Sequence, residues 1–553
     1  MRRAFLTLLA AISIGSVLAQ ASCPDSTPVL ESGRLRALVD GTGLTFAPDY
    51  DGSVFYTTSG GIEAGLVFAQ GIWIGAQSPG GETAMAAQGY IGLGGDQGDF
   101  YSGTVDTTNR RPDTASLFCS IAKVTRAQIE AHLADLEDGR LDDPIPAILA
   151  WPGAGNVAYD VGTHDLAPFV DADGDGVYEP AAGDVPAITG DHAVWWVMND
   201  FGNNNESGSA RSPEVEVQGL LEGFDSDASP ELSSALKLSY RITSRNRERL
   251  DSLAIGLWQD VDLGCPEDDY VGSLPSLEAI YSYNADTVDG VDGRDCGATT
   301  TFGAAPPVLV SRLLGVRDQD GDAAAATGAI AMRRPTPGVP VPEGMIGPTK
   351  GRPDEFYNLL RARYTDGTPI TAAGIGYDTD GPITSWIYDG NPADSMAWSA
   401  CGSVAGDFWT VLSARPSGPL LPGHSVTVEY ALFALDDIPL PCPNAEVIAE
   451  ATERLTERLL ARPPIVSSVL AASGPVASIR VYPNPSGAAG FAVRLPTLTP
   501  GARLEIADAA GRSVRTYVTT GEVQEVRGLA PGVYVARLTD ASGARSAQRI
   551  IVQ

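Results

Sequence analysis

The chain has 553 residues, with 37 basic against 69 acidic side chains and a net charge of -32. That balance repels nucleic-acid phosphates and anionic lipid, so neither is expected as a partner, while it suits cation binding and solubility. The length accommodates roughly two to four domains, and Gly 62 with Pro 40 favours short strands between turns over a helical protein.

In chain order, Arg2 and Arg3 precede an apolar stretch, Ala4 to Leu18, and then Ala19-Gln20-Ala21 with small residues at both critical positions. This is the pattern of a signal peptide over residues 1–21, cleaved after Ala21. A lipoprotein reading of Cys23 is weaker, because Gln20-Ala21-Ser22 lacks the usual apolar residue. No later run approaches the roughly 18 to 20 apolar residues that span a bilayer, so no transmembrane segment is expected after cleavage.

Residues 22 to 120 read as short strands with wide turns, as in Gly71-Ile72-Trp73-Ile74-Gly75. Thr125 is placed to cap a helix with Ile129, Leu133 and Leu136 at helical spacing, followed by Gly139. Pro144-Ile145-Pro146 breaks the pattern, and an Asp-rich segment follows.

In that segment Asp171, Asp173 and Asp175 alternate with Ala172, Gly174 and Gly176 before Val177, Tyr178 and Glu179. Calcium takes six to eight oxygen ligands, and such a loop wraps carboxylates and a backbone carbonyl, here that of Val177, around one ion. Ala182 stands where an EF-hand has its bidentate Glu, and Pro180 opposes a following helix. Glu179, Asp184 or Asp191 can complete the shell. The expected cofactor is structural Ca2+; a solvated acidic turn is the bland alternative. The next strand, His192 to Val197, should send Trp195 and Trp196 into the core, with a sugar-stacking platform as the other reading.

Leu236, Leu238, Tyr240 and Ile242 alternate with polar residues, and Leu253, Ile255 and Leu257 repeat the pattern, which predicts a hairpin. Directly after it come Asp260, Asp262, Asp268 and Asp269 around Gly264 and Cys265, a second candidate calcium loop if the chain folds back. Asp318, Asp320 and Asp322 with Gly321 are a weaker third. Val426, Val428, Tyr430 and Leu432 form another alternating strand, and Asn444 caps a helix with Val447, Ile448, Ala451, Leu455 and Leu459 on one stripe. The fold class expected is mainly β: an antiparallel sandwich body with insertions and a few helices, residues 22–462, in one or two subdomains. After Pro463-Pro464 a linker, 463–475, leads to a small C-terminal immunoglobulin-like sandwich, 476–553.

Cys23, Cys119, Cys265, Cys296, Cys401 and Cys442 form an even set with no CxxC pair. That argues for disulfides rather than zinc, and Cys265 with Cys296 and Cys401 with Cys442 is the simplest pairing. Buried free thiols are the alternative.

The tail carries Tyr482-Pro483-Asn484-Pro485, Asp508 to Arg512, Gly528 to Tyr534 and an apolar end, Ile550-Ile551-Val552. In that order these motifs resemble the type A C-terminal sorting domain of the type IX secretion system of Bacteroidota. The resemblance implies export to the cell surface or medium, handling by the type IX translocon and a sortase-like peptidase, and attachment to surface polysaccharide. The body, from Phe169 to Asp200 and from Trp258 to Gly272, resembles uncharacterised Asp-rich proteins with the same tail, which transfers no activity.

The chain has no H-E-x-x-H, G-x-S-x-G or P-loop, and its four histidines, His132, His164, His192 and His424, are dispersed. His164 beside Asp165 reads as a loop pair. No catalytic residue is assigned, and the chain is expected not to be an enzyme but a calcium-stabilised structural, adhesive or ligand-binding protein. The alternative is a secreted hydrolase of glycoside-hydrolase type, whose paired carboxylates leave no sequence signature, or a carbohydrate-binding protein.

Overall fold

The computed structural model describes residues 29–42, 53–89, 98–106, 111–112, 121–138, 140–156, 166–201, 206–225, 227, 230–290, 300–304, 306–335, 338–465, 480–482, 490–494, 503–508, 513–518, 523–539 and 545–552. The signal segment, Cys23, Cys119, Cys296, Gly139, His164, Pro483 to Pro485, residues 509–512 and most of the 463–475 linker lie outside them.

Two antiparallel sheets face each other across one core. In the ten-stranded sheet the central strands are Val215–Gly223, Ala235–Ser244, Ser425–Leu435 and Val308–Asp318, adjacent in that order. The five-stranded sheet runs Ala325–Arg333, Phe408–Pro416, Asp251–Val261, Ala69–Gln77, Thr83–Ala87. A buried polar ladder joins them: Ser311 Oγ donates to Gln259 Oε1 at 2.7 Å, and Gln259 Nε2 to Gln70 Oε1 at 3.0 Å. Around it pack Leu238, Tyr240, Ile242, Ile72, Ile255 and Leu257, all buried.

The predicted hairpin does not form. Ala235–Ser244 pairs with Val215–Gly223 and Ser425–Leu435, whereas Asp251–Val261 pairs with Ala69–Gln77 and Phe408–Pro416 in the opposite sheet. The alternation is real, but each strand offers its apolar face to the shared core from a different side. The second strand is also buried on both faces over most of its length, because its outer face is covered. The helix Pro353–Leu360 lies there, with Phe356 edge-on to Trp73 at 5.0 Å. Gly256 leaves room for Leu360 and Val411, which a Cβ would meet at 2.5 and 2.8 Å.

The strand His192–Asn199 sends its two tryptophans to opposite faces, as the period of two requires. Trp196 enters the main core and Trp195 a second, smaller one. That second core is built from Ile129, Ile148, Trp151, Tyr178 and Val185. The helix Arg126–Asp135 closes it, with the expected Thr125 cap in reciprocal bonds to Gln128 at 2.9 and 3.2 Å.

The helix Ala445–Leu460 is capped by Asn444, which accepts from Glu446 N at 3.0 Å. It packs on Ser425–Leu435 through Ile448, Ala451, Leu455 and Leu459. Val447, expected on that stripe, is instead 43% exposed. Cys401 and Cys442 are disulfide-bonded as expected. Cys265 is also disulfide-bonded.

The tail is a separate two-sheet unit. Arg480–Tyr482, Phe491–Arg494 and Val523–Val526 form one sheet, and Ser513–Val518, Arg503–Asp508, Gly532–Thr539 and Arg545–Val552 the other. Its own core gathers Phe491, Val493, Leu504, Ile506, Ala536 and Ile550.

Candidate cation sites

The loop between the short paired strands Phe169–Val170 and Val185–Pro186 wraps onto its first carboxylate. Asp171 Oδ1 accepts from Gly174 N at 2.7 Å and Asp175 N at 3.2 Å, and Oδ2 from Gly176 N at 2.7 Å. Gly174 and Gly176 have φ of 76° and 77°, a region closed to most L-residues, so glycine is needed where the loop bends. Asp184 returns from the far side: Oδ1 accepts from Ala172 N and Oδ2 from Glu179 N, both at 2.8 Å. Asp175 Oδ1 takes the N–H of Val177 at 2.8 Å.

Asp171, Asp173 and Asp184 thereby offer oxygens within 4.8 Å of one another, and so do Asp173, Asp175 and Glu179. The structure thus gathers the carboxylates of the first predicted loop into overlapping triads, with the Val177 backbone in the same turn. Burial, then repulsion by neighbouring carboxylates, pushes Asp175 and Asp184 up to about 7. The donor set is all oxygen, which fits calcium. Asp191, the other candidate, is used elsewhere: Arg462 Nη2 lies 2.7 Å from Oδ1 and Arg126 Nε 3.5 Å. The loop is tied to the second core by Tyr178, whose hydroxyl donates to Ile148 O at 2.8 Å and whose ring meets Phe169 edge-on. His132 Nε2 lies 3.0 Å from Pro180 O at the loop exit.

The second predicted loop is divided. Asp260 and Asp262 converge with Asp407, whereas Asp268 falls with Asp289 and Cys265. Asp268 and Asp269 each turn one oxygen to the backbone. Asp268 Oδ2 accepts from Gly290 N at 3.1 Å, and Asp269 Oδ2 from Leu263 N at 3.1 Å. Asp289 accepts from Cys265 N at 2.8 Å and from Phe302 N. The Cys265 sulfur is in a disulfide and offers no thiolate. The chain does fold back here, but it closes hydrogen-bonded turns rather than one four-carboxylate cage.

The third candidate is a hairpin turn, in which Asp318 Oδ1 accepts from Asp320 N at 2.8 Å and residues 317 and 318 pair with 322 and 321. It is absent from the carboxylate groups that converge among the described residues. Sequence reasoning missed Asp407 and Asp289, which reach their neighbours only through tertiary pairing. His192 Nε2 meets Asp225 at 3.0 Å on the surface. A groove lined by Ser78, Arg211, Glu214, Asn246 and Glu248 has no tryptophan beside its carboxylates. Trp195 and Trp196, at 1% and 0% exposure, offer no sugar platform.

Residues 480–553 match the family model of the secretion system C-terminal sorting domain. The terminal sandwich is thus a type IX sorting domain, and the protein is one exported across the outer membrane to the cell surface or extracellular space. No curated protein matches the chain, and the body's resemblance to Asp-rich secreted proteins gains no support. Among solved structures it is similar to a polysaccharide lyase, with 11% identity over 61% of this chain and 34% of that one, at a TM-score of 0.15. It is also similar to PorZ, an essential bacterial surface component of the type IX secretion system of Porphyromonas gingivalis, with 10% identity over 67% and 45% and a TM-score of 0.13. The chain spans less than half of either protein, and likenesses this slight carry no argument. No described helix is long and apolar enough to cross a membrane.

Proposed function

We propose that this chain is a calcium-stabilised structural or adhesive protein of the cell surface, with residues 1–21 as its signal peptide. Its tail is the part handled by the translocon and a sortase-like peptidase, and linkage to surface polysaccharide would retain it. The observation that carries the reading is the loop from Asp171 to Asp184, where five carboxylates, Asp171, Asp173, Asp175, Glu179 and Asp184, converge in triads sharing Asp173. Left as anions they repel; around an ion they tie Tyr178 and the paired strands to the second core.

Binding to the folded form alone adds about 2.7 kcal/mol at a hundred-fold excess of free ion over Kd. What favours this role over a glycosidase is access, since that chemistry needs two carboxylates across an open cleft. Asp260 and Asp407, which converge beside Trp409, are each 5% exposed. The test is thermal melting of metal-stripped protein with calcium added back, for the wild type and for Asp173→Ala with Asp175→Ala. Calcium should raise the wild-type melting point and raise that of the variant less. A wild type indifferent to chelation overturns the reading.

A further inference from the structure

We propose that Asp260, Asp262 and Asp407 form a second, buried calcium site assembled by sheet register on the outer face of the five-stranded sheet. It is independent of the 171–184 loop. Val261 pairs with Phe408, so the next residues out, Asp262 and Asp407, stand opposite each other. Asp260, two residues back, shares the face of Asp262. Like charges directly opposite on a sheet are destabilising. Here three carboxylates offer oxygens within 4.8 Å of one another.

One cation partly answers them: Arg334 Nη1 lies 3.2 Å from Asp407 Oδ2, but its side chain is 68% exposed. A second observation lies in the other oxygen of that carboxylate. Asp407 Oδ1 is buried and makes no hydrogen bond, in a residue 5% exposed. A buried carboxylate oxygen without a donor is costly unless a cation meets it. Trp409, paired across from Asp260, and Trp258, edge-on to Trp409 at 6.2 Å, wall the cluster with apolar surface. With only oxygen donors the site selects a hard cation, and a water-poor wall favours calcium over magnesium, which holds its waters. The ion would clamp Asp251–Val261 to Phe408–Pro416 where the chain leaves the sheet.

The experiment uses the full chain carrying Asp173→Ala and Asp175→Ala, so that the fate of the first loop does not enter the reading. After stripping and dialysis against calcium, elemental analysis should find bound calcium that falls by about one equivalent when Asp262→Asn is added. In melting, Asp262→Asn should lower stability with calcium and leave it equal or higher in EDTA, where repulsion is relieved. Calcium content unchanged by Asp262→Asn, or equal gains in both buffers, overturns the proposal. Should that variant fail to fold, terbium added to the background protein should give tryptophan-sensitised emission that weakens in Trp409→Phe. Emission absent, or indifferent to that change, counts against the site.

Discussion

The body and the tail are both antiparallel sandwiches, yet they hold themselves together differently. The tail closes a compact core of Phe491, Val493, Leu504, Ile506 and Ile550. The converging carboxylate groups found among the described residues all lie in the body. The body also holds all six cysteines of the chain. The difference teaches that address and cargo are built on different chemistry: the described core of the tail is apolar, while the body gathers carboxylates in loops where the proposed ions would sit. Among the described residues an ion pair links them, Arg537 Nη2 at 3.7 Å from Glu179 Oε1, with both side chains over a third exposed. Such a pair contributes about 0 to 1 kcal/mol.

The largest effect that separates the two regions is on export. Deleting residues 476–553 should abolish surface display and trap the body in the periplasm, read by protease accessibility on intact cells. Normal display of the truncated chain would break the comparison. Next comes the disulfide between Cys401 and Cys442, which closes a separation of 41 residues. Replacing both by serine should cost the body roughly 2 to 4 kcal/mol. The tail, which has no cysteine, should unfold as before, and calorimetry of the full chain distinguishes the two transitions.

The smallest effect is a pH dependence. Asp200 is fully buried, and burial pushes its carboxyl up to about 7 against the N–H donors of Val215 and Glu214. Its ordinary value is 3.8, so between about pH 4 and pH 7 the native state binds more protons than the unfolded one. Unfolding free energy contributed by this group therefore falls as pH rises through that window. In calcium-saturated protein, Asp200→Asn should flatten the change in denaturant stability between pH 5 and pH 8, and an unaltered slope would remove Asp200 as its source.

What could be read from the sequence divides along the same physical line. The convergence of the 171–184 carboxylates was legible because they lie within a few residues, and local spacing sets local geometry. The caps at Thr125 and Asn444 were legible for the same reason, and the tail through its ordered motifs. The pairing of Asp251–Val261 was not, because alternation reports which face of a strand is buried and not which sheet receives it. Asp407 was beyond reach as well. It meets Asp262 only because a strand far along the chain is laid beside Asp251–Val261 in one register, and a one-residue slip would turn it to the other face. Asp268 and Asp269 look like ligands in sequence, but one oxygen of each accepts a backbone N–H of the same folded-back chain, and they do not join Asp260 and Asp262 in one group.

The most direct measurement of the central claim is calcium titration of the metal-stripped full chain followed by calorimetry, with Asp173→Ala and Asp175→Ala as the control. Cation stabilisation predicts that the body transition climbs with calcium while the tail transition stays fixed, and that the control climbs less. Superimposable traces with calcium and with EDTA would contradict it.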